Sequence, residues 1–307
     1  MKRAVSISIG SSKRDKAVEV KLFGETVRIE RIGTDGDLKK AAQMYTELDG
    51  QVDALGVGGG VLGLMIGEKW YGMHSLEPLV RGVRRTPLVD GTGLKMTLER
   101  RAVKEMERQL PGRIQQKTAL VTSAVDRWGM AQGAIDAGYQ VAFGDLIYAI
   151  GIPLILRSVR QVKTLARIML PVVSRLPFKW VYPIGESQEH RKPTGVQHFQ
   201  RANLILGDCH YTWRYMPERM DGKIIITNTT TPEDVATFRQ AGVSYLVTTT
   251  PVYDGRSFGT NAMEAAIIAA CGRKDKVDYA NPGEYFRWIE ARIDELGMNV
   301  QIQELCG

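Results

Sequence analysis

Lys95 opens a helix after the glycine-bearing turn DGTGLK, residues 90–95. An amine so placed can reach a cleft and act as general acid or base, given a lowered pKa and a carboxylate partner. Asp90 is the partner nearest in sequence, and an exposed lysine at a helix start would read the same way. Asp208 and His210 are a second pair, two residues apart at the end of an apolar run. A regular strand would put both on one face. The other polar, small-residue segments that follow apolar runs are Ser123–Arg127, Gly144–Asp145, Thr227–Thr230 and Thr248–Thr250. Their hydroxyl and amide groups suit a polar ligand.

The elements that must position these groups centre on TALVTSAVDRWGMAQGAIDAGYQVAFGDLIYAIG, residues 118–151. Ala119–Val121 is a β run, Ser123–Arg127 a polar turn, and Trp128–Ala137 a helix stopped by Gly138. A second strand, Gln140–Phe143, ends at Gly144-Asp145. Strand, turn, helix, glycine, strand and acid is the opening unit of a doubly wound α/β domain. In nucleotide-binding versions the turn holds phosphate, and the acid takes the ribose hydroxyls. On that pattern Ser123, Ala124, Arg127, Gly129, Asp145, Asn228 and Thr229 line a cofactor pocket. With Gly129 as the third glycine of G-x-G-x-x-G, however, the first two positions are Ala124 and Asp126. A carboxylate there opposes a pyrophosphate, unless Asp126 caps the helix. A Rossmann-like unit that binds no dinucleotide also fits this stretch.

The chain has 307 residues, 44% hydrophobic and 24% charged. That is enough for two soluble domains. Val5, Ile7 and Ile9 alternate with serines as a first strand, and Val18–Leu22 and Thr26–Ile32 flank Gly24-Glu25 as a hairpin. Val52–Val57 runs into the triple glycine 58–60, which lacks the G-K-[ST] of a phosphate loop and reads as a tight turn or close approach. A helix from about Thr97 to Gln109 bridges to later strands at Asn203–Leu206, Lys223–Ile226 and Tyr245–Val247. The expectation is an α/β fold: an N-terminal α/β domain at 1–112, then a Rossmann-like parallel-sheet domain at 113–307. Its C-terminal helices are free to pack back on the first.

The net charge of +7 admits a small anionic metabolite. The cations are dispersed and no nucleic-acid motif occurs, so nucleic acid is not expected. Three isolated cysteines and no signal peptide suggest a reducing, cytoplasmic setting and no metal. Between Asp145 and Glu186 there is no acidic residue, while Arg157, Arg160, Lys163, Arg167, Arg175 and Lys179 are present. Such a stretch could touch an anionic membrane surface. With Pro171 and Pro177 interrupting it, the expectation is instead a basic face bordering a cleft or the contact of a homo-oligomer. His190 and His198, in a polar segment, lack the spacing of a metal site.

The segments VSISIGSSKRDKAVEV, IERIGTDGD, VDGTGLKMTLERR, SAVDRWGMA, GDLIYAIGIP and TTTPVYDGRSFGTNAMEA resemble a bacterial family labelled quinate 5-dehydrogenase. The resemblance extends over most of the chain and implies kinship with quinate and shikimate dehydrogenases. Those pair a substrate domain with a Rossmann domain and move the hydroxyl proton with a Lys–Asp pair. ITNTTT at 226–231 is similar to the Asn-bearing strand end near the nicotinamide. GTNAMEAAIIA at 259–269 is similar to the terminal helix, with Ile267 where a substrate-binding Gln would stand. The resemblance implies an oxidoreductase acting on a small hydroxylated carboxylic acid such as quinate or shikimate. NAD is the expected cofactor, because Asp145 would repel a 2′-phosphate, and Lys95 the expected proton-transfer residue, with Asp90, Asp208 and His210 as further candidates. The alternative is a nucleotide- or metabolite-binding protein without dehydrogenase activity.

Overall fold

A computed structural model describes residues 1–177, 191–253 and 256–306. Lys179 and His190 lie outside the described residues. The chain forms two compact units and passes between them more than once. The first contains 1–94, 168–188 and 259–297; the second contains 95–167, 189–258 and 298–307.

In the first unit, β1 (Lys2–Ser8) is the centre of a sheet with β2 (Lys16–Leu22), β3 (Glu25–Gly33), β4 (Ala54–Gly58) and β7 (Leu88–Val89), in the order β2-β3-β1-β4-β7. β2 pairs antiparallel to β3 through the expected hairpin, and the other pairs are parallel. α1 (Leu38–Leu48) starts where Asp37, its N-cap, accepts the Lys39 and Lys40 amides. It buries Tyr45, whose hydroxyl donates to the Ile7 and Gly56 carbonyls at 3.0 and 3.1 Å. The glycines at and before the triple run serve packing. A Cβ on Gly56 would come within 2.9 Å of the Asn261 carbonyl, and one on Gly58 within 2.9 Å of Ser8 Cβ. A small hairpin, β5 (Gly63–Ile66) and β6 (Lys69–Gly72), precedes a short helix, α2 (Glu77–Val80). Helix Thr260–Cys271 has a small, apolar surface on nearly every side, buries ten of its residues and packs on β1, β3 and β4.

In the second unit, five parallel strands share one sheet: β8 (Thr118–Val121), β9 (Gln140–Phe143), β10 (Leu204–Leu206), β11 (Ile224–Thr227) and β12 (Tyr245–Thr248). The order is β15-β12-β11-β10-β8-β9, with β15 (Gln301–Glu304) added antiparallel at the edge. β13 (Val252–Tyr253) and β14 (Arg256–Ser257) form a separate two-stranded ribbon. The strands read as continuous apolar runs because both faces of a parallel sheet are covered. Leu120, Ile205, Ile225 and Leu246 are all within its core. The α/β architecture and these five segments are as the sequence indicates. From β8 the chain steps outward to β9, then returns across β8 to β10. The switch point therefore lies between β8 and β10, where the open crevice of such sheets falls.

α3 (Thr92–Met96) leads into α4 (Leu98–Gln109), and α5 (Trp128–Asp136) follows the β8 turn. The backbones meet closely. A Cβ on Gly129 would lie 1.8 Å from the Lys95 carbonyl oxygen, and one on Gly133 would lie 2.2 Å from that of Arg100. Gly129, read from sequence as a fingerprint glycine, is thus required by helix contact. Gly129→Ala is expected to destabilise the fold by about 2–3 kcal/mol, since backbone on both sides resists the shift. Chemical denaturation measures this, and an unchanged midpoint would show the contact to be looser than described.

α6 (Val159–Val173) buries Val162, Ala166 and Leu170 and leaves Arg160, Lys163 and Arg167 exposed. Among the described residues no helix is long and apolar enough to cross a membrane.

Candidate functional site

The carboxyl edge of the second sheet gathers five charged side chains at the switch point. Lys95 comes from α3, Glu99 from α4, Asp126 and Arg127 from the turn after β8, and Asp208 from the end of β10. Lys95 Nζ lies 2.7 Å from Asp126 Oδ1. Arg127 is the hub: Nη1 donates to Glu99 at 2.6 Å and Nη2 to Asp208 at 3.0 Å, while Nε stands 3.1 Å from Asp126 Oδ2. The side chains of Glu99, Arg127 and Lys95 are 0%, 5% and 9% exposed, against 22% for Asp208 and 31% for Asp126. An arriving ligand therefore meets the two aspartates first, with the Lys95 ammonium behind one of them.

The electrostatics follow from this nesting. Burial would push the Asp126 carboxyl up, but the Lys95 ammonium and Arg127 guanidinium outweigh it and hold it at about 2. Burial likewise opposes ionisation of Asp208, and Arg127 and His210 still bring it below the usual carboxylate range. Glu99 goes the other way. Its complete burial raises it despite Arg127. Each cation is matched by carboxylate, so the cluster is suited to the hydroxyl groups of a ligand rather than to its charge. It offers carboxylate acceptors for hydroxyl groups and an ammonium that can donate to them.

The sequence-derived candidates separate here. Lys95, Asp208 and Arg127 come together, but Arg127 is turned inward rather than toward a cofactor. Lys95's partner is Asp126, not Asp90. Asp90 belongs to the first unit, where Oδ2 accepts the Leu62 amide at 2.7 Å and Oδ1 the Thr92 amide at 3.0 Å. The second bond closes its own turn, and the first ties it to the residue before β5. Asp126 is not the cap of α5: Arg127 stands at that position, with no side-chain capping bond. The His210 amide donates to Asp208 Oδ1, which caps helix Cys209–Tyr215. Asn228 and Thr229 tie down a neighbouring loop. The Asn228 carbonyl accepts the Thr250 hydroxyl at 2.7 Å, and the Thr229 hydroxyl donates to the Ser257 carbonyl at 3.0 Å. Glu99 is the member of the cluster that no local motif marks; only its pairing with the later Arg127 reveals it.

Asp145 sits beyond β9, where a ribose-binding acid belongs, yet it is 1% exposed. Its Oδ1 accepts the Val125 amide at 2.8 Å, and Oδ2 is buried without a partner. Ser123 and Ala124 are buried as well, and the Arg127 amide donates to the Ser123 carbonyl. Tested against a dinucleotide, this turn does not fit. Donors that would take the pyrophosphate hold a carboxylate of the chain itself, and Asp126 presents a second negative charge at the mouth. No group of three or more His, Cys, Asp or Glu among the described residues is arranged for a metal ion.

Burial lifts the Asp145 carboxyl to about 6, against the pull of the Val125 and Ala124 amides. A carboxyl raised on folding binds more protons folded than unfolded between about pH 4 and 6, so its contribution to stability falls as pH rises through that window. Asp145→Asn keeps an acceptor for the amide and removes this burden. The variant is expected to gain about 2–3 kcal/mol on the wild type at pH 7, an advantage that disappears by pH 4. Parallel unfolding curves at the two pH values check it; a difference independent of pH would contradict the assignment.

Residues 93–305 match a family model described as "Domain of unknown function (DUF8754)". Residues 3–90 match another described as "Domain of unknown function (DUF8753)". No curated protein matches the chain. Among solved structures it is similar to GanP, a glucose-galactose binding protein from Geobacillus stearothermophilus, at 11% identity over 99% of this chain and 97% of that one, with a TM-score of 0.36. It is also similar to a putative malic enzyme (malate oxidoreductase), at 10% identity over 94% and 77% of the two chains, with a TM-score of 0.37. Scores this low support no argument about the site.

Proposed function

The chain belongs to the family described as Domain of unknown function (DUF8754), and we propose that its second unit binds a small hydroxylated metabolite at the switch point and moves a proton at one of its hydroxyl groups. The observation that carries the reading is the 2.7 Å pairing of a largely buried Lys95 with a solvent-reaching Asp126. Lys95 gives or takes the hydroxyl proton. Asp126, kept ionised by its two cations, fixes the ammonium and can accept a hydrogen bond from the ligand.

The finer form is a dehydrogenase acting on a hydroxylated carboxylic acid such as quinate or shikimate, as the family resemblance implies. A dehydrogenase of this kind would exchange a hydride with a nicotinamide, and Lys95, beside Asp126, would hold the proton at the ligand's hydroxyl oxygen. The β8–α5 turn does not fit that cofactor, so the proposal assigns the chain's own residues the proton and nothing further. The same misfit favours a second reading, a metabolite-binding unit without dehydrogenase chemistry.

Separate titrations with NAD⁺, NADH, quinate and shikimate distinguish the two. Binding of an acid together with acid-dependent reduction of NAD⁺ supports the dehydrogenase. An acid that binds while neither cofactor does supports the binding unit. If folded protein takes up none of the four at millimolar concentration, neither quinate nor shikimate is its ligand and the proposed substrate class fails.

A further inference from the structure

An anion in a doubly wound sheet sits on backbone N–H groups of the first strand–helix turn. In this chain those groups are already engaged. The Val125 amide donates to Asp145 Oδ1 at 2.8 Å, and the Ala124 amide favours the ionised form of the same carboxylate. The carboxylate reaches them from the end of β9, the strand beside β8. Ala124 has no exposed surface and Asp145 only 1%, so solvent does not reach the contact.

We infer that Asp145 is a specificity-determining residue: its carboxylate is the permanent occupant of the anion-binding turn, so the switch point selects a ligand that carries no phosphate. A phosphate would have to displace a tethered carboxylate whose local concentration never falls. It would also approach Asp126 and Asp208, both ionised and both at the mouth. The inference rests on the proposed function only in placing the ligand at this edge.

The test is to remove the carboxylate and supply it from solution. Asp145→Ala and the wild type are each titrated with sodium formate, inorganic phosphate and pyrophosphate, following the thermal unfolding midpoint. The variant's midpoint is expected to rise saturably by about 2–4 °C with formate or phosphate, while the wild type shows no saturable response to any of the three. A saturable rise of the wild type with pyrophosphate or with NAD⁺ overturns the inference. So does a folded variant indifferent to both small anions. Should Asp145→Ala not fold, Asp145→Asn replaces it. That variant keeps an acceptor and is expected to fold and ignore anions, and the wild-type pyrophosphate arm then decides. Quinate and shikimate run in parallel keep the two ideas apart, because their failure to bind counts against the proposed function and leaves the anion result standing.

Discussion

Replacing Arg127 by methionine is expected to destabilise the protein by about 3–5 kcal/mol, as breaking a buried ion pair from one side does. The guanidinium is 5% exposed and holds three carboxylates. Without it Glu99, which has no exposed surface, loses its Nη1 partner, and Asp126 and Asp208 face each other with only Lys95 between them and repulsion. The loss therefore comes from stranded charge more than from packing. A second variant separates the two causes. Glu99→Gln combined with Arg127→Met removes one stranded charge and keeps the shape, so it is expected to be more stable than Arg127→Met alone. Urea unfolding of the three proteins decides the matter. A double variant less stable than the single would mean that the network's contribution is steric.

Lys95→Met is expected to leave stability nearly unchanged and to remove the proton transfer proposed for this site. Asp126 is 31% exposed and keeps Arg127, so water replaces the ammonium at a cost of about 1 kcal/mol or less. Turnover of a hydroxylated acid that the wild type converts is expected to fall by about 10²–10⁴-fold, the range for losing a positioned general acid or base. Lys95→Arg is not expected to rescue it, because a guanidinium does not release its proton. An equal loss in folding stability, or rescue by arginine, would reduce Lys95 to a structural cation.

How much of this was legible beforehand depends on whether the information was local. The parallel strands are legible because each is a short apolar run closed by Gly, Asn or Thr. Lys95 stood out for its place after a glycine turn. Its partner did not, since Asp126 lies 31 residues on, past α4 and β8. Asp90 is nearer in sequence but is held by the amides of Leu62 and Thr92. Asp145 is marked by its position beyond β9, but no sequence pattern reveals that a neighbouring turn folds over its carboxylate. Gly129 presented the same ambiguity. A glycine that admits a phosphate and one that admits the Lys95 carbonyl look alike until the helices are packed.

The central claim is that the Lys95–Asp126 pair faces a bound hydroxylated ligand, and calorimetric titration of quinate and shikimate into wild type and Asp126→Asn tests it most directly. The expected result is saturable binding of at least one acid to the wild type, weakened about tenfold or more in the variant, as losing a hydrogen bond to a charged group implies. Equal affinity of the two proteins for that acid, with both shown to be folded, would contradict the claim.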